Sequence, residues 1–537
     1  MGPLQRLNPL TLQRASCFAF ILHAHLPFVR HPEHEDFLEE DWLFEALTET
    51  YLPLLRMMRR LAEDNVPFRL TMSLTPTLAA MLRDELLQGR YLRHLDRLIG
   101  LARQEIERNR NDPPLATLSH FYCNFFTDAR VFYDEILKRD VVRAFREQQD
   151  AGHLEIIASA ATHAFLPLLD GFPEAQEAQI QIGCDNYRQL FERDPRGFWL
   201  PECGYSNRLD SVLQRANIRW FVLDSHGVMF AQPRPQHAIF APCYTGAGPA
   251  VFARDRESNR EVWSAQSGYP GDPLYRDFYR DIGFDRSEDE LAAFLRPAGL
   301  RKFSGIKYHR VSDGSAKELY DPTAALARAD QHANDFFLKS AARLREMAQL
   351  NFAPVIVSPF DAELFGHWWF EGPRFLESFI RRVAAEPQEF QLTTPGEFLA
   401  AHPAQQVVRP NPSSWGERGF SGVWLDEKAV WIYPHLHAAT RRMIEIARHH
   451  QNTSSPQIER ALRQAGRELL LAQASDWAFL IKTNSAREYA TRRTKDHLRW
   501  FNRLDAQISA ARIDLEFLGE REERANLFPD LNWRYFL

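Results

Sequence analysis

Cysteine is scarce in this 537-residue chain: Cys17, Cys123, Cys184, Cys203 and Cys243 are the five present. They fall at no metal-like spacing, and an odd, sparse set builds no disulfide framework, which fits a reducing cytoplasm. The apolar stretch near the N-terminus, Cys17 to Leu22, is too short to span a bilayer. It leads into His23-Ala24-His25-Leu26-Pro27, unlike a signal-peptide cleavage region, and reads as a first core strand. The net charge of −6 is spread thinly with no basic run, which argues against nucleic acid and anionic membrane as partners. A Walker-type or Gly-rich dinucleotide loop is missing, so no nucleotide cofactor is expected; a Gly-x-Ser-x-Gly elbow is missing too. There is no repeat of 20 to 50 residues and no low-complexity tract.

What is present is an alternation. Seven short β-rich runs stand between turn or helix-start signals: Phe18–Leu22, Phe68–Met72, Leu154–Ala158, Gly197–Leu200, Arg219–Leu223, Pro354–Val357 and Phe390–Thr393. Helices separate many of them. Thr75-Pro76 reads as an N-cap with proline in the first turn, and Thr394-Pro395-Gly396-Glu397 as a capping box. Such alternation predicts parallel strands with crossover helices, hence a distorted β/α barrel over residues 1–410. A charged amphipathic stretch at about 84–149 reads as a helical insertion, and Gly227 to about Asp285 as an irregular, Pro/Gly-rich loop region. Arg409-Pro410-Asn411-Pro412-Ser413-Ser414 resembles a linker, after which helical patterns predict an all-helical domain over 411–537. A chain of this length is expected to divide in this way, because one core rarely grows so large.

Two runs end in a carboxylate: Gly197-Phe198-Trp199-Leu200-Pro201-Glu202-Cys203, and Val355-Ile356-Val357-Ser358-Pro359-Phe360-Asp361 followed by Ala362-Glu363-Leu364-Phe365-Gly366-His367-Trp368-Trp369. A single acid at a strand end is as well explained by a helix N-cap. Two of them, each beside aromatic rings that suit the apolar faces of sugars, are what acid/base cleavage of a glycosidic bond requires. His23 and His25 share one face of their strand. Such an HxH pair holds zinc in metal-dependent barrel hydrolases, where His163, His226 and Asp361 would complete the set; it also suits hydrogen bonding to sugar hydroxyls, or a satisfied core pair. Trp199, Trp263, Trp368, Trp369, Trp415 and Trp424 lie in or next to these segments and are candidate stacking platforms for a glucan chain.

These motifs, together with Ala161-Thr162-His163, Val262-Trp263-Ser264, Gly268-Tyr269-Pro270-Gly271-Asp272-Pro273 and Ser475-Asp476-Trp477, resemble glycoside hydrolase family 57 and its α-glucan branching-enzyme subgroup. The resemblance covers nearly the whole chain. It implies a distorted (β/α)7 barrel with a helical insertion and a helical C-terminal domain closing over the cleft. It also implies a retaining enzyme acting on α-1,4-glucan in the cytoplasm, with Glu202 as nucleophile, Asp361 as acid/base and neither metal nor other cofactor. Residues matching Arg254, Gly271, Trp415 and Asp476 contact the glucan in the subgroup, and those matching His25, His163, Trp263 and Trp424 line its cleft. One departure stands out. Better-known branching members carry a tyrosine on a mobile loop after the segment matching Leu223-Asp224-Ser225-His226, thought to shield the intermediate from water. Here the segment Gln232 to Phe240 has none, and the first tyrosine after Tyr205 is Tyr244. A hydrolytic component beside branching is therefore expected.

Overall fold

The computed structural model describes residues 16–264, 266–296, 299–312 and 318–537. Strand β1, Cys17–Ala24, is apolar except for His23 and is buried along its whole length, as a parallel strand covered on both faces must be. It pairs in parallel with β2 (Leu70–Leu74) on one side. From there parallel pairing runs outward through β3 (Leu154–Ser159), β4 (Gly197–Trp199) and β5 (Trp220–Leu223). An antiparallel hairpin of β6 (Cys243–Thr245) and β7 (Ala250–Ala253) follows, and β7 lies parallel to β5. On the other side of β1 lies β8 (Val355–Asp361). The backbone N–H of Asp255, just past β7, donates to the carbonyl of Val357 in β8 at 2.8 Å, a bridge across the side where β7 and β8 share no ladder among the described residues. The barrel is thus seven parallel strands, with β9 (Gln391–Leu392) and β10 (Val407–Val408) as short additions on β1 and β6.

The membership of that ring differs from the sequence expectation at one strand. Phe390–Thr393 yields only the two-residue β9 beside the start of β1. The seventh barrel strand is β7, inside the stretch read as irregular loop. Four residues preceded by Gly246-Ala247-Gly248-Pro249 are too short to display a period, and their strand conformation is supplied by pairing with β5 on one side and β6 on the other.

Register sets the site. Residue His23 of β1 lies opposite Ser73 of β2 and Asp361 of β8, so all three reach the C-terminal rim at one level. That is the rim where barrel enzymes assemble their chemistry. Between β2 and β3 run the helices Glu85–Arg108, Pro113–Val131 and Val141–Asp150, the first and third capped by Asp84 and Asp140. Both predicted proline starts form helices. Thr394 and Glu397 make a reciprocal capping box, whereas Thr75 leaves its cap unmade and turns its hydroxyl to the His25 ring at 3.0 Å.

Beyond β10 the chain is helical: Ile432–His449, Pro456–Ala472, Ser475–Thr483, Arg487–Ser509 and Leu515–Arg524. The stretch leading there is no free linker. Ser413 exchanges both backbone hydrogen bonds with Tyr205, and Asn411 N–H donates to the Gly227 carbonyl. At Gly227 any Cβ would meet the Ser413 hydroxyl at 2.4 Å, so the strap lies flush on the barrel rim only because that residue is glycine. Among the described residues, no helix is long and apolar enough to cross a membrane.

Candidate active site

Past β4 the chain turns through Leu200 into the short helical turn Pro201–Cys203, where Glu202 (φ 62°) and Cys203 (φ 50°) occupy the left-handed region. Non-glycine residues there cost of order 1–3 kcal/mol each and persist only where their surroundings hold them. The hold is explicit. The Trp415 backbone N–H donates to the Glu202 carbonyl (2.9 Å), its indole Nε1–H to carboxylate Oε2 (2.9 Å), and the Ser475 hydroxyl to Oε1 (2.9 Å). Burial lifts the Glu202 pKa above the ordinary carboxylate value and the Asp476 charge adds to this, while the Trp415 and Ser475 donors and His25 pull it down.

Asp361 ends β8 in extended conformation, and among the described residues no donor hydrogen-bonds its carboxylate. Burial pushes its pKa well above the ordinary range, the Glu363 and Glu202 carboxylates push it further, and Arg254 opposes them. Glu363 is itself held by the Tyr51 hydroxyl and by the His25 backbone N–H (3.3 Å), and burial raises its pKa to about 7. Arg254, just past β7, is aimed by Asp224 (3.2 Å) and Asn259 (2.6 Å), with its guanidinium 5.4 Å from the Trp415 ring centre.

Three imidazoles and an indole stack along the rim. His23 lies on Trp199 (centroids 4.5 Å) and beside His163 (5.0 Å), and His163 lies on His25 (3.8 Å, planes 19° apart). His25 Nε2 reaches Asp476 Oδ1 at 3.0 Å. Burial disfavours charge on His25, but Asp476, Glu202 and Glu363 more than offset it and its pKa is raised; His23 and His163 are both held well below the ordinary value, by burial first. The grouping able to gather around an ion is therefore His25, His163 and Asp476. It differs from the set expected from the sequence, because His226 turns instead to Asp224 and the Gly419 carbonyl. It also fits a zinc ion poorly. Lone pairs on imidazole nitrogens lie in the ring plane, and an ion shared between two stacked, nearly parallel rings would sit beside each ring rather than in its plane.

Of the residues singled out in the sequence, the structure brings Glu202, Asp361, His25, His163, Arg254, Trp415 and Asp476 into one cluster. Trp263 and Gly271 sit on the segment after β7, Trp263 being 40% exposed, and among the described residues neither hydrogen-bonds this cluster. Trp424 is corrected: 1% exposed and stacked face to face on Phe165 (3.9 Å, 14°), it packs beneath the site and offers no free ring face. Trp368, by contrast, is 53% exposed and backed by Phe278. Three neighbours were not picked out as site residues. Glu363 and Ser475 stood within quoted motifs, one beside Asp361 and one beside Asp476, and that adjacency was their available signal. Tyr433, whose phenol is raised by burial and then by the Glu202 charge, had none.

The segment Gln232 to Phe240 runs away from this rim. Gln232 pairs with Arg409, His237 stacks on Phe352 ahead of β8, and the Phe240 carbonyl accepts from Val355 N–H at the start of β8. Tyr244 donates its hydroxyl to the Pro403 carbonyl.

A family model described as glycosyl hydrolase family 57 matches residues 19–410, and one described as the C-terminal region of 1,4-alpha-glucan branching enzyme matches residues 435–536. The 1,4-alpha-glucan branching enzyme TK1436 of Thermococcus kodakarensis is 33% identical over 95% of this chain and 77% of its own length. Among solved structures, the alpha-amylase AmyC of Thermotoga maritima is 43% identical with a TM-score of 0.91, covering 97% of this chain and 99% of that one. The GH57-type branching enzyme of Pyrococcus horikoshii is 33% identical with a TM-score of 0.86, covering 97% of both.

Proposed function

Because the chain belongs to glycosyl hydrolase family 57, we propose that it is a retaining 1,4-α-glucan branching enzyme, cleaving α-1,4 links and passing the released chain to a glucan 6-hydroxyl. The observation that carries the chemistry is the unlike treatment of two carboxylates on one rim. Glu202, with a neutral donor on each oxygen, is suited to remain ionised; Asp361, buried beside two other carboxylates without a donor, is suited to hold a proton. Glu202 attacks the anomeric carbon as Asp361 protonates the leaving 4-oxygen, giving a glycosyl ester and a free chain end. The Asp361 carboxylate then takes the proton of the acceptor hydroxyl as that oxygen displaces Glu202. His25, His163, Arg254, Trp415 and Asp476 contact the sugar at the cleavage point, with Trp263 and Gly271 further along the chain.

The helical C-terminal region closes the cleft through Trp415, Tyr433 and Ser475. Water at ~55 M competes for the ester unless the cleft excludes it. With the Gln232 to Phe240 segment turned away, exclusion rests on that region, and a hydrolytic component accompanies branching. A second reading, hydrolysis with little branching, is favoured by the 43% identity to the alpha-amylase AmyC. Incubation with amylose, counting α-1,6 branches against new reducing ends, separates the two: branches are expected to accumulate, and reducing ends alone would replace the first reading by the second.

A further inference from the structure

A single row of hydrogen bonds runs from inside the barrel to the carboxylate of Glu202. The Ser73 hydroxyl lies 2.5 Å from His23 Nδ1, His23 Nε2 lies 3.0 Å from His163 Nε2, His163 Nδ1 lies 2.9 Å from the Ser475 hydroxyl, and that hydroxyl lies 2.9 Å from Glu202 Oε1. All four relay side chains are buried. An ionised carboxylate only accepts, so Ser475 donates to it and has no proton left for His163. His163 must then donate from Nδ1. Neutral, it presents a bare Nε2, which obliges His23 to donate from Nε2 and to accept from Ser73 at Nδ1. One charge state at Glu202 thus sets every proton in the row.

We propose that Ser475, delivered by the first turn of a C-terminal helix, is a positioning residue that orients the Glu202 nucleophile as the last member of this one-way chain. The inference rests on the nucleophile role proposed for Glu202. The helix is seated for the purpose: Ser475 N–H donates to the His163 carbonyl (3.0 Å), Ala474 bridges Ala164, and His163 is held in the left-handed region (φ 57°). The low basicity of His23 and His163 agrees with the neutral tautomers required. The titratable groups facing Glu202 are His25, His163, Asp361, Tyr433, Asp476 and the neighbouring Cys203 thiol. Among the described residues, only Ser475 and Trp415 donate hydrogen bonds to its carboxylate oxygens.

The test uses Ser475→Ala and Ser475→Thr with both amylose and α-maltosyl fluoride, whose good leaving group removes the need for an acid. Ser475→Ala should lower kcat about ten- to hundredfold on both donors with little change in KM, since a misplaced nucleophile is felt whatever leaves. Its acid limb of kcat/KM should move to higher pH, because a hydrogen bond to the ionised form is gone. Ser475→Thr, which keeps the hydroxyl, should restore both. An unchanged kcat and acid limb in a folded Ser475→Ala variant overturns the inference. Imidazole ¹⁵N NMR of the unaltered enzyme decides independently of variant folding: protons on His163 Nδ1 and His23 Nε2 are expected, and the opposite tautomers overturn the chain. Azide rescue of Glu202→Gly with an inverted product checks the underlying assignment separately; its failure alongside an active Glu202→Gln variant would remove that assignment rather than the geometry of the row.

Discussion

The rim offers two carboxylates at similar places, one just past the end of a parallel strand and one at the last residue of another, and treats them in opposite ways. The turn after β4 twists Glu202 into a left-handed conformation and clamps both its oxygens with donors, Trp415 and Ser475, that arrive from beyond residue 410. The end of β8 leaves Asp361 extended and without a donor, and sets a like-charged Glu363 two residues on. Similar positions in a fold therefore carry no fixed chemistry. Acidity here is decided by what the rest of the chain brings to each strand end, and the two environments displace the two pKa values unequally, which a shared acid/base task requires.

Removing either carboxylate is the strongest challenge to that contrast. Glu202→Gln and Asp361→Asn should each fold and lose well over ~10²-fold in turnover of amylose. Only Asp361→Asn should recover on α-maltosyl fluoride, in its first step. Azide should give product of inverted configuration with Glu202→Gly and of retained configuration with Asp361→Ala; the same stereochemistry from both would erase the division of labour.

A finer challenge alters the neighbour instead of the acid. Glu363→Gln keeps an acceptor for Tyr51 but removes a negative charge beside Asp361, so the Asp361 pKa should fall. With Asp361 as the proposed acid, the alkaline limb of kcat should move to lower pH, with activity above neutrality reduced several-fold, about what one pH unit can give. A limb that stays in place would show that the Glu363 charge does not set the acid.

The smallest expected effect concerns His25, the histidine paired with Asp476. His25 has a raised pKa, so the stability it draws from Asp476 is fully present below the unfolded value of about 6.5 and is lost as pH rises through the higher folded value. Asp476→Asn should therefore lower Tm modestly near pH 5.5 and hardly at all near pH 9, measured by calorimetry. Equal losses at both would mean that the pair is held as a neutral hydrogen bond.

Some of this arrangement was written locally. The apolar runs ending in Glu202 and Asp361, the HxH at the end of β1, and the capping box at Thr394 depend on residues within a few positions of one another, and each forms as read. Where the reading went astray, the deciding partner was remote. Strand β7 exists because β5 and β6 flank it; Thr75 stands at its N-cap as read but gives its hydroxyl to His25, 50 residues away; Trp424 stacks face to face on Phe165. The strap at 411–415, which reads as a linker by composition, is backbone-paired to the turn that carries Glu202.

The sequence by itself determined which acids stand at the strand ends, because period, capping and turn chemistry act over one or two turns of chain. Only the tertiary structure decided which of the two would be clamped by donors and which left beside another charge. The donors to Glu202 stand 213 and 273 residues away along the chain, and a pKa answers to distance in space, not in sequence.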